Sequence, residues 1–153
     1  MNTKMNILGS APFIAGPTLV YLIVTAVISV LLKPLFIITE MHYDSLIILG
    51  IILIVIGTLM VISCGRKLLK SFNKGLLMTD GLYKIFRNPM YAAYMLFVIP
   101  GICLFFNSWL VLTTVLLNYI LFSIFIKREH KYLEEKFGSE YQSYLKKVYI
   151  KFL

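Results

Sequence analysis

The sequence predicts an all-α fold: an integral membrane helical bundle with four transmembrane helices plus an interfacial helix and a C-terminal cytoplasmic helix. Three observations carry that reading. Of the 153 residues, 59% are hydrophobic and only 14% are charged, whereas soluble domains are about 45–50% apolar; mean hydropathy is +0.86. Four apolar runs, at residues 13–32, 46–63, 89–106 and 109–126, approach the roughly 20 residues needed to cross a hydrocarbon core. None of the four contains Asp, Glu, Lys, Arg or His, which argues against a proton-coupled transporter, because such proteins require an ionisable residue within a span.

Each element has its own local cause. The first run is membrane-length and further spans follow it, so it reads as a retained helix rather than a signal peptide, with Gly16 and Pro17 bending or beginning it. The segment 64–88 is too polar to span. Its Leu68, Leu69, Phe72, Leu76 and Leu77 recur near helical spacing with lysines between them, the pattern of an interfacial amphipathic helix. Asp80 followed by Gly81 marks a turn. Asn88 and Pro89 read as N-cap and first residue of the third helix. Only Asn107 and Ser108 separate the third and fourth runs, which demands a tight antiparallel hairpin. Beyond Ile126 a charged helix continues, breaks near Gly138 and resumes through Tyr141 and Tyr144. No internal repeat is evident, and residues 1–153 read as a single domain.

The charge pattern sets an orientation. Lys4 precedes the first run and Lys33 follows it; six basic residues lie between Arg66 and Arg87 and seven between Lys127 and Lys151. Four alternating spans place fourteen of the fifteen on one side, so the positive-inside rule predicts that both termini and both polar clusters are cytoplasmic. The net charge of +8 flanks apolar spans instead of forming a soluble basic face, which points to anionic lipid headgroups and away from nucleic acid. Cys64 and Cys103 have no CxxC or Cys/His spacing; they read as buried thiols, and no metal site is expected.

Two clusters at the cytoplasmic boundary carry the residues suited to chemistry. At the start of the third helix, unused backbone N–H groups offer a seat for a carboxylate; Tyr91, one turn beyond Asn88, borders the same pocket, while Arg87 alone reads as a side chain reaching for lipid phosphate. At the end of the fourth helix, Arg128, Glu129 and His130 are consecutive and project about 100° apart, so they cannot all face one ligand. A carboxylate as close to hydrocarbon as Glu129 needs a partner: the third helix's N-terminus, Arg87 or a cationic ligand. Glu134, Glu135, Lys136, Glu140, Lys146 and Lys147 read as a solvated face, and Tyr141 with Tyr144 as helix packing. No Gly-rich phosphate loop or GxSxG element is present.

Taken together, Leu77-Met-Thr-Asp-Gly-Leu-Tyr-Lys-Ile-Phe-Arg-Asn-Pro-Met-Tyr91, a helical hairpin, and then Glu129-His-Lys-Tyr-Leu-Glu-Glu-Lys-Phe-Gly-Ser-Glu-Tyr-Gln-Ser-Tyr144 resemble the isoprenylcysteine carboxyl methyltransferase family and its relatives, the phospholipid methyltransferases. The resemblance covers about half the chain. It implies a cytoplasm-facing pocket for S-adenosyl-L-methionine, with Gly75, Leu76, Leu77, Met78, Tyr83, Asn88, Pro89, Met90, Tyr91 and Glu129 as the cofactor-binding residues, and a lipid or prenylated acceptor arriving from the bilayer. Arg128 and His130 would face the acceptor, and no residue is assigned a catalytic role. Three departures matter: Asn88 stands where histidine is usual, His130 where a second glutamate is usual, and Phe125 where an arginine associated with the substrate carboxylate is usual. Asn-Pro-Met-Tyr is closer to the phospholipid N-methyltransferases, and the tail from Phe137-Gly138 to Tyr144 closer to the prenylcysteine enzymes.

The expected activity is therefore methyl transfer from S-adenosylmethionine to a lipid or prenylated acceptor, of the isoprenylcysteine carboxylate kind. Phospholipid N-methylation, an NADPH-dependent sterol-reductase-like activity and a non-enzymatic membrane scaffold or transporter are the alternatives.

Overall fold

The structure, a computed structural model, describes residues 9–151, without the side chains of residues 72 and 73; Lys4 and the Phe72 side chain therefore lie outside the description. The described residues are helical, with no strand beyond two isolated bridges. The helices are α1 (Ala11–Leu31), α2 (Tyr43–Lys74), α3 (Leu82–Ile85), α4 (Pro89–Ala93), α5 (Ile99–Phe105) and α6 (Trp109–Lys147), and a π-helical turn, Tyr94–Val98, joins α4 to α5. By length and composition α1, α2 and α6 are long and apolar enough to cross a membrane, whereas Pro89–Phe105 is a shorter apolar run. These are the features of an integral membrane protein. The π turn sits immediately before Pro100, which has no N–H for the carbonyl of Leu96, and the wider winding accommodates that loss.

Several boundaries differ from the sequence expectation. Helix α1 starts at Ala11, leaving Pro17 inside it. The interfacial helix expected within 64–88 is not a separate element: α2 runs unbroken from Tyr43 to Lys74. Between Ser63 and Lys74 the strongest helix-weakening residue is Gly65, which costs about 1 kcal/mol and does not stop a helix that packing supports. The stop comes at Gly75 (φ +66°), where the Leu76 N–H bonds back to the Ser71 carbonyl at 3.0 Å, a Schellman-type end. The hairpin turns at Asn107, in the left-handed region at φ +46°, and Ser108 caps α6 by accepting from the Val111 N–H.

Helix α1 packs along α6, α5 meets α6, and α2 packs along the α4–α5 run. Two kinds of contact make these seams. Between α1 and α6 polar bonds join apolar packing: the Asn118 side-chain amide donates to Thr18 Oγ1 at 2.9 Å, the Tyr21 and Thr113 hydroxyls meet at 2.9 Å, and Ser29 donates to Ser108, while Ile14 packs on Phe122 and Ile126. Hydrogen bonds of this type hold helices together where lipid removes the hydrophobic driving force. Between α2 and α5 the seam is made of absent side chains: a Cβ at Gly101 would lie 2.8 Å from the Gly50 carbonyl oxygen and 2.7 Å from Ile54 Cγ1. Cys64 and Cys103 are free and buried, as their setting in the sequence indicated.

Helix α6 ends in a bend that positions the site. At Gly138 the backbone takes φ 46°, ψ −118°, a conformation open to glycine alone. Residues after the bend fold back, so that Tyr141, Tyr144 and Val148 are buried against Leu77, Leu133 and Phe137. The chain then runs beside the segment preceding α4: Ile150 N–H bonds to the Ile85 carbonyl at 2.8 Å, and Arg87 N–H to the Ile150 carbonyl at 2.9 Å.

Candidate active site

The polar segment before α4 and the far end of α6 enclose one cavity, a cleft of about 890 Å³ counting its solvent-open mouth. Leu76, Leu77 and Met78 line it from the loop after α2, Tyr83 from α3, Asn88 to Tyr91 from the start of α4, and Glu129 from α6. Of the ten residues expected to hold the cofactor, nine thus border one space. Gly75 is not among the lining residues; it ends α2 instead.

Glu129 stands one turn beyond Ile126, where the apolar stretch of α6 ends. Its carboxylate accepts from the Tyr91 hydroxyl at 3.1 Å and from the Ser10 backbone N–H at 3.4 Å. Neither partner foreseen within the chain is used: Arg87 does not reach it, and the N–H groups of α4 do not either. Burial pushes the Glu129 carboxyl above its ordinary range, and the two donors pull it back in part. Among the described residues the ion pairs to carboxylates are Lys84–Asp80 and Lys131–Glu135, both exposed, so Glu129 has no cationic side chain against it.

Arg87 turns inward rather than toward lipid. Its Nε and Nη2 donate to the Tyr141 hydroxyl at 3.0 and 2.6 Å, and its guanidinium lies 5.4 Å from that ring's centre. The Tyr144 hydroxyl donates to the Tyr83 carbonyl at 2.8 Å. Both tyrosines pack, as their spacing suggested, but both also line the cavity. Arg87, Tyr141 and Tyr144 were therefore missed as site residues. The signal available in the sequence was Gly138, since a break there returns the following turn toward whatever precedes it.

Asn88 occupies the N-cap position of α4 but its side chain does not cap the helix. Its Oδ1 instead lies 3.3 Å from His130 Nε2, and its Nδ2 is buried with no hydrogen-bond partner. Because an amide oxygen only accepts, His130 Nε2 carries the proton in this contact, and Nδ1 of a neutral ring keeps a lone pair. Burial, and then the nearby Arg87 charge, push the imidazole down to about 4. The two residues that depart from the resembled pattern, Asn88 and His130, are therefore partners. Arg128 goes elsewhere, exposed and 5.9 Å from the Phe125 ring centre; it does not line the cavity. Phe125 itself stacks on Phe13 at 5.6 Å.

The arrangement offers a mostly apolar cleft at a membrane boundary, lined by one half-buried carboxylate and one unused amide donor, with the neutral His130 imidazole behind Asn88 and not among the lining residues. No group of three His, Cys, Asp or Glu suited to a metal occurs among the described residues. Comparison with curated proteins and with solved structures returns no match. Residues 45–140 match the phospholipid methyltransferase family. That stretch spans more than half the chain and holds every cavity residue named above except Tyr141 and Tyr144, so the chain belongs to the phospholipid methyltransferase family, membrane methyltransferases that act on lipids.

Proposed function

We propose that the chain is an S-adenosylmethionine-dependent methyltransferase whose acceptor is the amine headgroup of a phospholipid. The observation that carries this reading is Glu129, a carboxylate facing the cavity with two neutral donors and no counter-ion among the described residues. A desolvated anion without a cation is costly, and a cationic ligand relieves that cost. The cofactor, when bound, supplies a methyl group on a positively charged sulfonium, already activated for transfer. Asn88 Nδ2 lines the same cleft as a buried donor without a partner.

The residues present act by positioning. Tyr91 orients the carboxylate, the Arg87–Tyr141 pair closes the cavity from the tail side, and Leu77, Met78 and Phe137 exclude water, the ingredients of alignment-based catalysis. An amine acceptor is protonated near neutral pH and must lose that proton before it attacks; the neutral His130 stands behind Asn88 and not among the lining residues, so it would receive the proton through an intervening water. A carboxylate acceptor would need no base, and Arg87 and Lys136 line the cavity as cations it could meet. The match to the phospholipid methyltransferase family, with Phe125 where the arginine tied to a substrate carboxylate is usual, supports the amine over the isoprenylcysteine carboxylate. In the same reading the 89–105 run is a third crossing, making four spans, and the basic residues place both termini and the cavity at the cytoplasmic face.

Calorimetric titration of S-adenosylhomocysteine into detergent-purified protein tests the pocket. Binding is expected in the wild type and strongly weakened in Glu129→Ala and Tyr91→Ala. Unaltered binding in both variants refutes the pocket, and heat from NADPH in place of the methyl-donor product redirects the assignment to a reductase.

A further inference from the structure

The residues that match the family begin at 45, yet one contact to Glu129 comes from outside that region, from the beginning of α1. Ser10 is buried, with 4% of its surface exposed. Its hydroxyl does not cap its own helix but donates to the Phe125 carbonyl at 2.9 Å. Phe125 lies one helical turn before Glu129, on the same face of α6, so this bond fastens the α1 terminus directly beside the carboxylate, where the Ser10 N–H reaches Oε2. Phe13 stacking on Phe125 and Ile14 packing against Ala92, Phe122 and Ile126 hold the same junction from below. The first turn of α1 has no acidic residue of its own. Glu129 supplies the missing negative charge from another helix, where it meets the positive end of a 21-residue helix dipole.

We propose that Ser10 is a positioning residue of the methyl-donor site, holding the Glu129 carboxylate aimed at the cavity by anchoring the start of α1 to α6. This inference rests on the assignment of Glu129 to the donor pocket. The hydroxyl sets the distance of its own N–H from the carboxylate, and the Tyr91 hydroxyl donates to the same carboxylate oxygen. Without the hydroxyl α1 still packs on α6 through Phe13 and Ile14, but the Ser10 N–H is no longer fixed against the carboxylate, and Tyr91 is the donor left in place.

The test is a double-mutant cycle in the affinity of a methyl-donor analogue that carries an ammonium in place of the sulfonium, measured by calorimetry from pH 5 to 8 on full-length protein in detergent. Ser10→Ala is expected to weaken binding about five-fold, as loss of one hydrogen bond implies, and to move the lower pH limit of binding upward; Ser10→Thr, which keeps a hydroxyl, restores both. In a Glu129→Gln background Ser10→Ala is expected to add nothing, because the group it positions has lost its charge. An equal loss from Ser10→Ala in both backgrounds, with no change in the pH profile, shows a merely structural role and overturns the proposal. Wild-type affinity in Glu129→Gln alone refutes the pocket assignment instead, so the two failures are told apart. Should Ser10→Ala fail to purify, the Ser10→Thr and Ser10→Gly pair carries the same comparison.

Discussion

Replacing Gly138 with alanine tests whether one backbone angle builds the site. A Cβ at this position would meet nothing within 4 Å, so any effect comes from the chain itself. The observed φ 46°, ψ −118° costs a non-glycine residue about 1–3 kcal/mol, and a straight helix through the same position gains about 1 kcal/mol when alanine replaces glycine. The bent, docked tail therefore loses about 2–4 kcal/mol relative to a straightened one, an increase of about 30-fold to several hundred-fold in the opening equilibrium. Hydrogen exchange reads that equilibrium directly: the Ile150 and Arg87 amides, bonded across the tail junction, should lose protection by this factor, and S-adenosylhomocysteine affinity should fall with it because Tyr141 and Tyr144 line the cavity. Gly65→Ala is the control, since a Cβ there also meets nothing but the backbone is helical; it should raise the melting temperature slightly. Unchanged protection at Ile150 and Arg87 in Gly138→Ala would refute the reasoning.

Gly101→Leu should separate α5 from α2, because even its Cβ falls 2.8 Å from the Gly50 carbonyl; overpacking of about 1–3 kcal/mol should appear as a lower melting temperature in detergent, and a wild-type melt would disprove the close approach. His130 gives a pH dependence of fixed sign. Its folded pKa of about 4 lies below the ordinary 6.5, so between those values the unfolded chain binds more protons. Stability from this group is therefore full above about pH 6.5 and lost as pH falls through 4, a dependence that thermal melts should show reduced in His130→Gln. In activity assays His130→Ala should cripple methylation of a phospholipid amine and only modestly affect a carboxylate acceptor; equal losses on both would defeat the division of roles.

What was legible in the sequence was what local chemistry dictates. Asn88-Pro89 set the start of α4, Asn107-Ser108 the hairpin, and Gly138 the break, each from the conformational preference of one or two residues. The convergence of the two polar clusters was also legible, because the two-residue hairpin at Asn107-Ser108 returns the end of the fourth run to the side on which the third begins. Side-chain pairing between helices was not. Nothing in the local pattern distinguishes an Arg87 that reaches for lipid from one that turns onto Tyr141 fifty-four residues away, and the rotation of α1 that brings Ser10 to Glu129 depends on the Thr18–Asn118 and Tyr21–Thr113 contacts together. Helix α2 overran its expected end for a related reason: periodicity does not mark where one helix stops and the next begins unless a breaker intervenes, and Leu76 and Leu77, counted in the expected amphipathic pattern, fall after the stop at Gly75.

A carboxylate in an apolar cleft does more than hold a ligand; it separates ligands by charge. Methyl transfer turns a sulfonium into a neutral thioether, so a donor-site anion favours the substrate form of the cofactor over the product form and eases release after each turnover. Glu129 is suited to this because its own partners, the Tyr91 hydroxyl and the Ser10 N–H, are neutral and leave its charge uncancelled. A charge-assisted contact in such a setting contributes about 1.5–3 kcal/mol, so an analogue carrying an ammonium in place of the sulfonium should bind about ten-fold or more tightly than S-adenosylhomocysteine. Glu129→Gln keeps the shape and should erase that preference while retaining part of the affinity common to both. Competition titrations with the two analogues measure the ratio; if it persists in Glu129→Gln, the charge that reads the sulfonium lies on another group, and the electrostatic role assigned to Glu129 is wrong.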